Sequence, residues 1–204
     1  ISCSFYSDRV VPAEEAALDY AWSKGVLPVV AAGNDATSIP YYPGAYRNVL
    51  SVGAIDQNAN KIWWSNFGSW VKVASPGTAL RSTSANGAYT TGFGGTSGAC
   101  PQVAGLAALM KGANPALTNV QIRTMIEDSA TSYPVANPLF ASYGIIDCES
   151  AVKVALGMLT PTPKPSAVFW ANPIGRENRF VVVRGRGLDR PGITAQNQLG
   201  QHLQ

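Results

Sequence analysis

Apolar and polar positions repeat with two different periods along the first 157 residues, and the two periods alternate. The opening ISCSFY (1–6) has the alternating pattern of a strand, and VPAEEAALDYAWSKG (11–25) has the spacing of a helix. VLPVVAAG (26–33) is a short apolar run before a glycine, which is typical of a buried strand. This order predicts a βαβ unit with parallel strands.

The first predicted helix has clear signals at both ends. Pro12 suits its first turn, and Gly25 ends it. Its apolar residues fall on one face at helical spacing, which is the pattern of an amphipathic helix. These residues are Ala13, Ala16, Ala17, Tyr20 and Ala21.

The same two periods continue to residue 156. The further strands predicted are VLSVGAID (49–56), WVKVASPG (70–77), a hairpin around SANGAYTTG (84–92), and YGIID (143–147). The further helices predicted are one after Ser97, TNVQIRTMIEDSA (118–130) with Thr118 as its cap, and CESAVKVAL (148–156). We therefore predict an α/β fold of three layers, with a mostly parallel sheet and helices on both faces.

A proline-rich stretch interrupts this order. TPTPKPS (160–166) favours an extended, stiff spacer, and RFVVVRGRGL (179–188) alternates like a strand. We predict a domain at 1–157, a linker rich in Pro and Thr at 158–166, and the start of a small β module at 167–204. A disordered tail remains an alternative for 167–204.

Composition narrows the class of protein. The chain has 204 residues, 46% of them hydrophobic and 13% charged, against about 25% charged in average soluble domains. No apolar run approaches the ~18 residues of a membrane span, and no signal peptide is visible. Because Ile1 opens directly into a strand pattern, we expect a fragment that begins inside a domain, truncated on its N-terminal side.

Charge and cysteine content argue against two kinds of partner. Residues 1–157 carry nine basic and ten acidic side chains, and the six basic residues of 158–204 are scattered, so we expect no nucleic-acid partner. The three cysteines form no C-x-x-C pair and His202 is the single histidine, so we expect no metal site. A Cys3–Cys148 bridge stays open, although buried thiols are the state we expect.

The segment GGTSGACPQVAG (94–105) is the first chemical candidate. Ser97 lies between a glycine-rich turn and a helix rich in Ala and Gly, and Pro101 predicts that this helix starts at Ser97 or Gly98. The hydroxyl then lies among free backbone N–H groups, which suit a developing oxyanion. A serine that merely caps the helix is the commoner explanation and stays open.

The segment VVAAGND (29–35) is the second candidate. Asn34 follows a buried strand, at the edge where α/β sheets hold ligands, and its amide can donate to an oxyanion beside Ser97. An ordinary turn at the end of a strand is the alternative.

Five segments together resemble the subtilisin-like serine proteases. These are VVAAGN, YYPGAYRNVLSVGA, WSNFGSWVKVASPG, GGTSGACPQVAG and YGIIDCESAV, in the order and approximate spacing of that family. The resemblance covers about residues 1–157 and corresponds to the carboxyl half of the catalytic domain. It implies a secreted serine endopeptidase that acts on proteins or peptides without a cofactor. Structural calcium is common in the family, but no residue here is assigned to it.

The resemblance also implies roles for individual residues. Ser97 matches the nucleophile, Asn34 the side chain that completes the oxyanion hole with the Ser97 backbone N–H, and Thr96 a supporting position. The matches to the substrate-binding walls are Ser4, Phe5 and Tyr6 on one side and Ala31, Ala32 and Gly33 on the other.

Several positions depart from the family pattern. Gln102 replaces a histidine, Cys100 replaces a serine, and Gly98 replaces a larger residue, which predicts looser packing behind Ser97. Tyr41 takes the place of a small residue at the floor of the pocket, which predicts a shallow pocket. The family's upstream Asp and His motifs do not occur, so we expect this fragment alone to be inactive, the missing N-terminal half supplying both.

Two other functions remain as alternatives. GTSGA is close to the G-x-S-x-G elbow of α/β-hydrolase esterases, and Asp147 and His202 follow in that fold's order. A non-catalytic relative, kept as a binding scaffold, is the other alternative.

Overall fold

The computed structural model describes residues 1–132 and 140–161, together with the backbone of 168–170 and 181–183; the side chain of Asn86 is outside the description. The chain divides into two compact units, Ile1–Pro161 and Thr162–Gln204.

The described part of the first unit contains both strands and helices. Its strands are β1 (Ser2–Cys3), β2 (Val29–Ala31), β3 (Leu50–Ile55), β4 (Val73–Pro76), β5 (Leu80–Thr83), β6 (Tyr89–Phe93) and β7 (Gly144–Ile145). Its α-helices are α1 (Pro12–Ser23), α2 (Thr96–Ala113), α3 (Asn119–Ser129) and α4 (Cys148–Ala155), and a short 3₁₀ helix (Ala85–Gly87) joins β5 to β6.

A parallel sheet organises the described residues of this unit. Its strand order is β1-β2-β3-β4-β7, and every neighbouring pair is parallel. All residues of β2 and β3 are buried, as expected for strands covered on both faces. β5 and β6 form a separate antiparallel hairpin, as the sequence predicts.

Alternate residues of β2 face different helices. Val29 and Ala31 lie in the large core cluster with residues of α2 and α3, whereas Val30 packs with Leu18 of α1. One helix therefore covers one face of the sheet, and the other helices pack on the opposite face. The predicted three-layer α/β class is confirmed.

The face of α1 that packs against the sheet differs from the predicted one. Leu18 is buried, whereas Tyr20 is 65% exposed and three of the four alanines of the predicted face are exposed as well. Alanine stabilises a helix whether or not it is buried, so its spacing does not identify the buried face.

Two boundaries also differ from the sequence prediction. The first strand is limited to Ser2–Cys3 rather than 1–6, and α2 begins at Thr96 rather than at Ser97 or Gly98. The start of α3 is confirmed: Thr118 accepts from the Gln121 backbone N–H, and the Gln121 side chain reaches back to the Thr118 backbone.

The cysteines are all free. Cys3 and Cys100 are buried thiols, as expected, whereas Cys148 is an exposed thiol, and the possible bridge between Cys3 and Cys148 is not formed. Burial raises the pKa of Cys3 and of Cys100, so both thiols stay protonated at neutral pH.

In the second unit the described backbone is an antiparallel pair, β8 (Val168–Trp170) and β9 (Val181–Val183). The other residues of 162–204, including His202, lie outside the described ones. The predicted linker at 158–166 and the nature of 167–204 therefore stay predictions. No described helix combines the length and the apolar character needed to cross a membrane.

An ion pair within α3 provides a test of this packing. Arg123 Nε lies 2.8 Å from Glu127 Oε1, and the two side chains are only 18% and 2% exposed. We expect Glu127→Ala to lower the free energy of unfolding by about 3 kcal/mol, because it leaves a largely buried cation unpaired. Denaturant titration of the variant measures this change.

The matched control is the other pair at the same helical spacing, Lys153 and Glu149 in α4, whose side chains are 48% and 77% exposed. Glu149→Ala should cost no more than about 1 kcal/mol. Equal losses for the two variants would contradict the role given to burial.

Candidate active site

The turn before α2 leaves the backbone N–H of a serine without a helical partner. Gly95, with φ of +86°, is the residue that caps the helix, and it offers no side chain for that purpose. Its carbonyl accepts the amides of Gly98 and Ala99, at 3.0 and 3.2 Å. The Ser97 N–H has no acceptor recorded among the described residues, so it remains available to a ligand.

Thr96 ties this turn to the end of β2. Its backbone N–H and its hydroxyl both donate to Asn34 Oδ1, each at 2.9 Å. The Thr96 hydroxyl also accepts from the Gly33 N–H at 3.1 Å. Because a backbone N–H can only donate, the Asn34 oxygen must face Thr96, and this fixes the orientation of the amide.

The other end of that amide borders a small gap beside Ser97. A β-carbon placed on Gly95 would lie 3.6 Å from Asn34 Nδ2 and 3.6 Å from the Ser97 backbone nitrogen. Both N–H donors therefore line one space, which the absence of a side chain on Gly95 leaves open. The two sequence candidates, 63 positions apart, meet there.

Ser97 is half-buried, and its hydroxyl does not cap the helix. Ser97 Oγ donates to the Ser4 carbonyl at 3.4 Å, and Ser4 Oγ donates to the Ser97 carbonyl at 3.0 Å. Pro101 lies at the sixth position of α2, beyond the first turn, and has no N–H for the Ser97 carbonyl. The Ser4 hydroxyl takes the place of that missing helical donor.

Asn66 holds the turn that carries Asn34, and sequence reasoning gave it no role. This buried side chain donates to the Ala32 carbonyl at 2.9 Å and accepts the N–H groups of Asp35 and Thr37, at 2.9 and 3.2 Å. The signal was an asparagine inside WSNFG, one of the segments that carry the family resemblance. Only the fold shows which loop it stabilises.

The residues predicted to bind substrate lie on two adjacent segments. Ser4 and Phe5 are exposed and Tyr6 is half-buried. The Tyr6 ring reaches the other segment, with Cδ2 3.1 Å from where a β-carbon on Gly33 would be. Ala31 and Ala32 are fully buried, backbone included, so neither has surface open to a substrate in this structure.

The replacements near Ser97 are well packed. Leu80 Cδ1 and Phe93 Cε1 lie 2.6 and 3.3 Å from where a β-carbon on Gly98 would be. The hairpin therefore fills the space behind Ser97, and the expectation of looser packing is wrong. Gln102 Nε2 donates to the carbonyls of Pro76 and Gly98, at 2.7 and 2.9 Å.

Three further sequence predictions concern Tyr41, Asp147 and a metal site. The Tyr41 ring lies 5.7 Å from that of Tyr6, centroid to centroid, and burial and the charge of Asp35 raise its pKa. Asp147, the acid of the esterase alternative, caps α4 by accepting from the Ser150 N–H at 2.9 Å. Within the described residues, no group of three or more His, Cys, Asp or Glu side chains could hold a metal ion.

A serine at the start of a central helix over a parallel sheet, beside two N–H donors for which the described residues provide no acceptor, is the arrangement of a serine hydrolase. The chain belongs to the Subtilase family, whose sequence profile matches residues 2–145.

Individual relatives agree with this assignment. The chain is 42% identical to Subtilisin BL of Lederbergia lenta over 139 residues, which is 68% of this chain and 51% of that protein. It is 42% identical to the thermophilic serine proteinase of Bacillus sp. (strain AK1) over 138 residues, 68% of this chain and 33% of that protein. It therefore spans about half of these relatives, or less.

A solved structure of proteases from Pseudoalteromonas arctica PAMC 21717 has the same fold. It superposes with a TM-score of 0.68 at 32% identity, covering 74% of this chain and 49% of that one.

The hydroxyl of Thr96 can be tested separately from its backbone. Thr96→Val removes the donor to Asn34 and leaves the buried Gly33 N–H unpaired, so we expect a loss of about 1–3 kcal/mol in the free energy of unfolding. Thr96→Ser keeps the hydroxyl and should recover most of this loss. If valine is tolerated as well as serine in denaturant titration, the hydroxyl does not hold the two segments together.

Proposed function

We propose that the protein is a serine endopeptidase in which Ser97 attacks the peptide carbonyl. The observation that carries this proposal is the gap shared by Asn34 Nδ2 and the Ser97 N–H, each 3.6 Å from the position of a β-carbon on Gly95. Two N–H donors held beside one space stabilise negative charge that develops there, without reorganising during the reaction.

The proposed reaction proceeds through an acyl-enzyme. Ser97 Oγ bonds to the carbonyl carbon while its proton passes to a base, and the carbonyl oxygen takes the negative charge between the two donors. The tetrahedral intermediate collapses, the C–N bond breaks, and the amine leaves with a proton. Water then hydrolyses the ester and restores the hydroxyl.

The base comes from a part of the domain that this sequence does not include. The single histidine, His202, lies outside the described residues, and the chain corresponds to about half of its relatives' length or less. We propose that an upstream segment supplies the histidine and the aspartate. Removing one member of such a triad leaves about 10³–10⁴-fold catalysis over water, so the chain by itself is a poor enzyme.

The proposed substrate is an extended peptide. β1 is at one end of the described strand order, and the segment from Ser4 to Tyr6 continues from it past Ser97. No described residue is recorded as an acceptor for the amide of Phe5 or Tyr6. An extended peptide can therefore add to this segment as a further strand, which favours protein or peptide substrates over small esters.

An active-site probe tests the nucleophile. A fluorophosphonate should label the full-length protein at Ser97, because the activated hydroxyl attacks phosphorus as it attacks a carbonyl. Mass spectrometry of the labelled peptide locates the adduct. Ser97→Ala should abolish the label, with exposed Ser23→Ala as the control that keeps it; an adduct on another residue would refute the assignment.

Kinetics test the role of Asn34. In subtilisin, itself a member of this family, loss of one oxyanion donor costs about 10²–10³-fold in turnover, and our expectation for Asn34→Leu is taken from that value. kcat should fall to this extent while KM changes little, since the donor acts on charge that appears in the transition state. A rise in KM with kcat unchanged would make Asn34 a binding residue instead.

A further inference from the structure

Two tyrosines pack together, and one of them reaches the turn that carries Asn34. Ser7 and Tyr42 exchange backbone hydrogen bonds of 2.7 and 2.8 Å across an antiparallel bridge. Tyr6 and Tyr41 each precede one of these residues, so they lie diagonally across the bridge on the same face, a separation that aromatic side chains can span. Their ring centroids are 5.7 Å apart and the planes are inclined by 54°. The Tyr6 ring also lies against Gly33, so it occupies the space between the segment Ser4–Tyr6 and the end of β2.

We propose that Tyr6 is a specificity-determining residue whose ring limits the substrate residue carrying the attacked carbonyl to glycine, alanine or serine. This inference rests on the proposed function, because it assumes attack by Ser97. It concerns the class of substrate rather than the reaction.

The positions of the donors determine where that substrate residue lies. Its carbonyl oxygen enters the gap beside Asn34 Nδ2, and its carbonyl carbon comes within about 3 Å of Ser97 Oγ. Standard bond lengths then hold its α-carbon about 2.4 Å from the carbonyl oxygen. Gly33 directly precedes Asn34 and belongs to a segment predicted to bind substrate, so the inference places the side chain on that α-carbon beside Gly33.

The wall at Gly33 cannot move to make room. A β-carbon there would collide with Asn66 Nδ2, and the backbone has φ of +102°, which only glycine adopts readily. Asn66 is fully buried and makes hydrogen bonds on both sides of its amide. The depth of the space therefore depends on the side chain lying against Gly33, which is that of Tyr6.

The Tyr6 ring is held in this position. Tyr41 packs on it, and the backbone bridge between Ser7 and Tyr42 fixes the segments that carry both rings. On this inference, the space left in front of the ring admits a methyl or hydroxymethyl group and nothing larger. A phenylalanine side chain needs the same surface as the ring, so it binds only after Tyr6 has been displaced from Gly33 and Tyr41.

The charges in this region suggest a second possibility, namely that the site prefers a substrate residue with a basic side chain. Asp35 and Asp8 lie close enough to Tyr41 for their charges to raise its pKa, so negative charge is present at the same end of the site. Both carboxylates are exposed, and Asp8 lies 4.0 Å from Arg9. Exposed charges of this kind contribute little, so we expect the filled space to dominate over attraction of a cation.

The experiment uses the full-length protein and three peptides that differ only in the residue before the cleaved bond: alanine, phenylalanine or arginine. We expect kcat/KM for the alanine peptide to exceed that of the other two by about 10²-fold. Tyr6→Gly should raise kcat/KM for the phenylalanine peptide by about 10²-fold and change the alanine value by less than about threefold. Tyr41→Ala should raise the phenylalanine value by about tenfold, because it removes the support behind Tyr6.

Tyr20→Ala, on the exposed face of α1, is the matched control and should leave every ratio unchanged. Titration of each variant with the fluorophosphonate gives the concentration of active protein, so partial unfolding does not distort the ratios. Equal cleavage of the alanine and phenylalanine peptides by the unaltered protein, a preference for arginine, or no effect of Tyr6→Gly would each overturn the inference.

The two proposals fail in different ways. If Ser97 is labelled and the ratios do not depend on Tyr6, the specificity inference is wrong and the proposed function stands. If Ser97 is not labelled in the unaltered protein, the proposed function is wrong and the inference falls with it.

Discussion

The site depends on one oxygen atom, Asn34 Oδ1, which accepts two hydrogen bonds from Thr96. This contact joins the end of a buried strand to the first residue of the central helix. It orients the carboxamide so that Nδ2 faces the gap beside Ser97. A typical hydrogen bond contributes about 1 kcal/mol to stability, so the functional value of this pair lies in the orientation that it enforces.

The backbone around this contact adopts conformations that only a few residues tolerate. Gly33 and Gly95 both have positive φ; a side chain on Gly33 would collide with buried Asn66, and one on Gly95 would enter the gap beside Ser97. Asn66 satisfies the backbone groups of the turn after β2, in place of a regular strand partner. The irregular segment is thus held rigid by a buried polar side chain.

The core provides the rigid frame for these irregular segments. β2 and β3 are buried throughout. α2 packs on one face of these strands and has small residues, Gly98 and Ala99, in its first turns. A larger residue at Gly98 would collide with Leu80 of the hairpin, so the hairpin could not pack so closely on α2. Close packing of strand, helix and hairpin is what brings Asn34, Ser97 and Tyr6 together.

The sequence by itself determined the α/β class, the order of most elements, and the candidates Ser97 and Asn34. The hydrophobic period, the Thr118 cap and the glycine turn before α2 each depend only on residues close together in the chain, so the sequence shows them directly. The buried face of α1, the role of Asn66 and the exact start of α2 were decided only in the folded structure. Each depends on contacts between residues far apart in the chain: Leu18 with Val30, Asn66 with Ala32, and the Ser4 hydroxyl on the carbonyl that Pro101 leaves without a helical donor. Such long-range contacts have no local period, which is why the tertiary structure had to supply them.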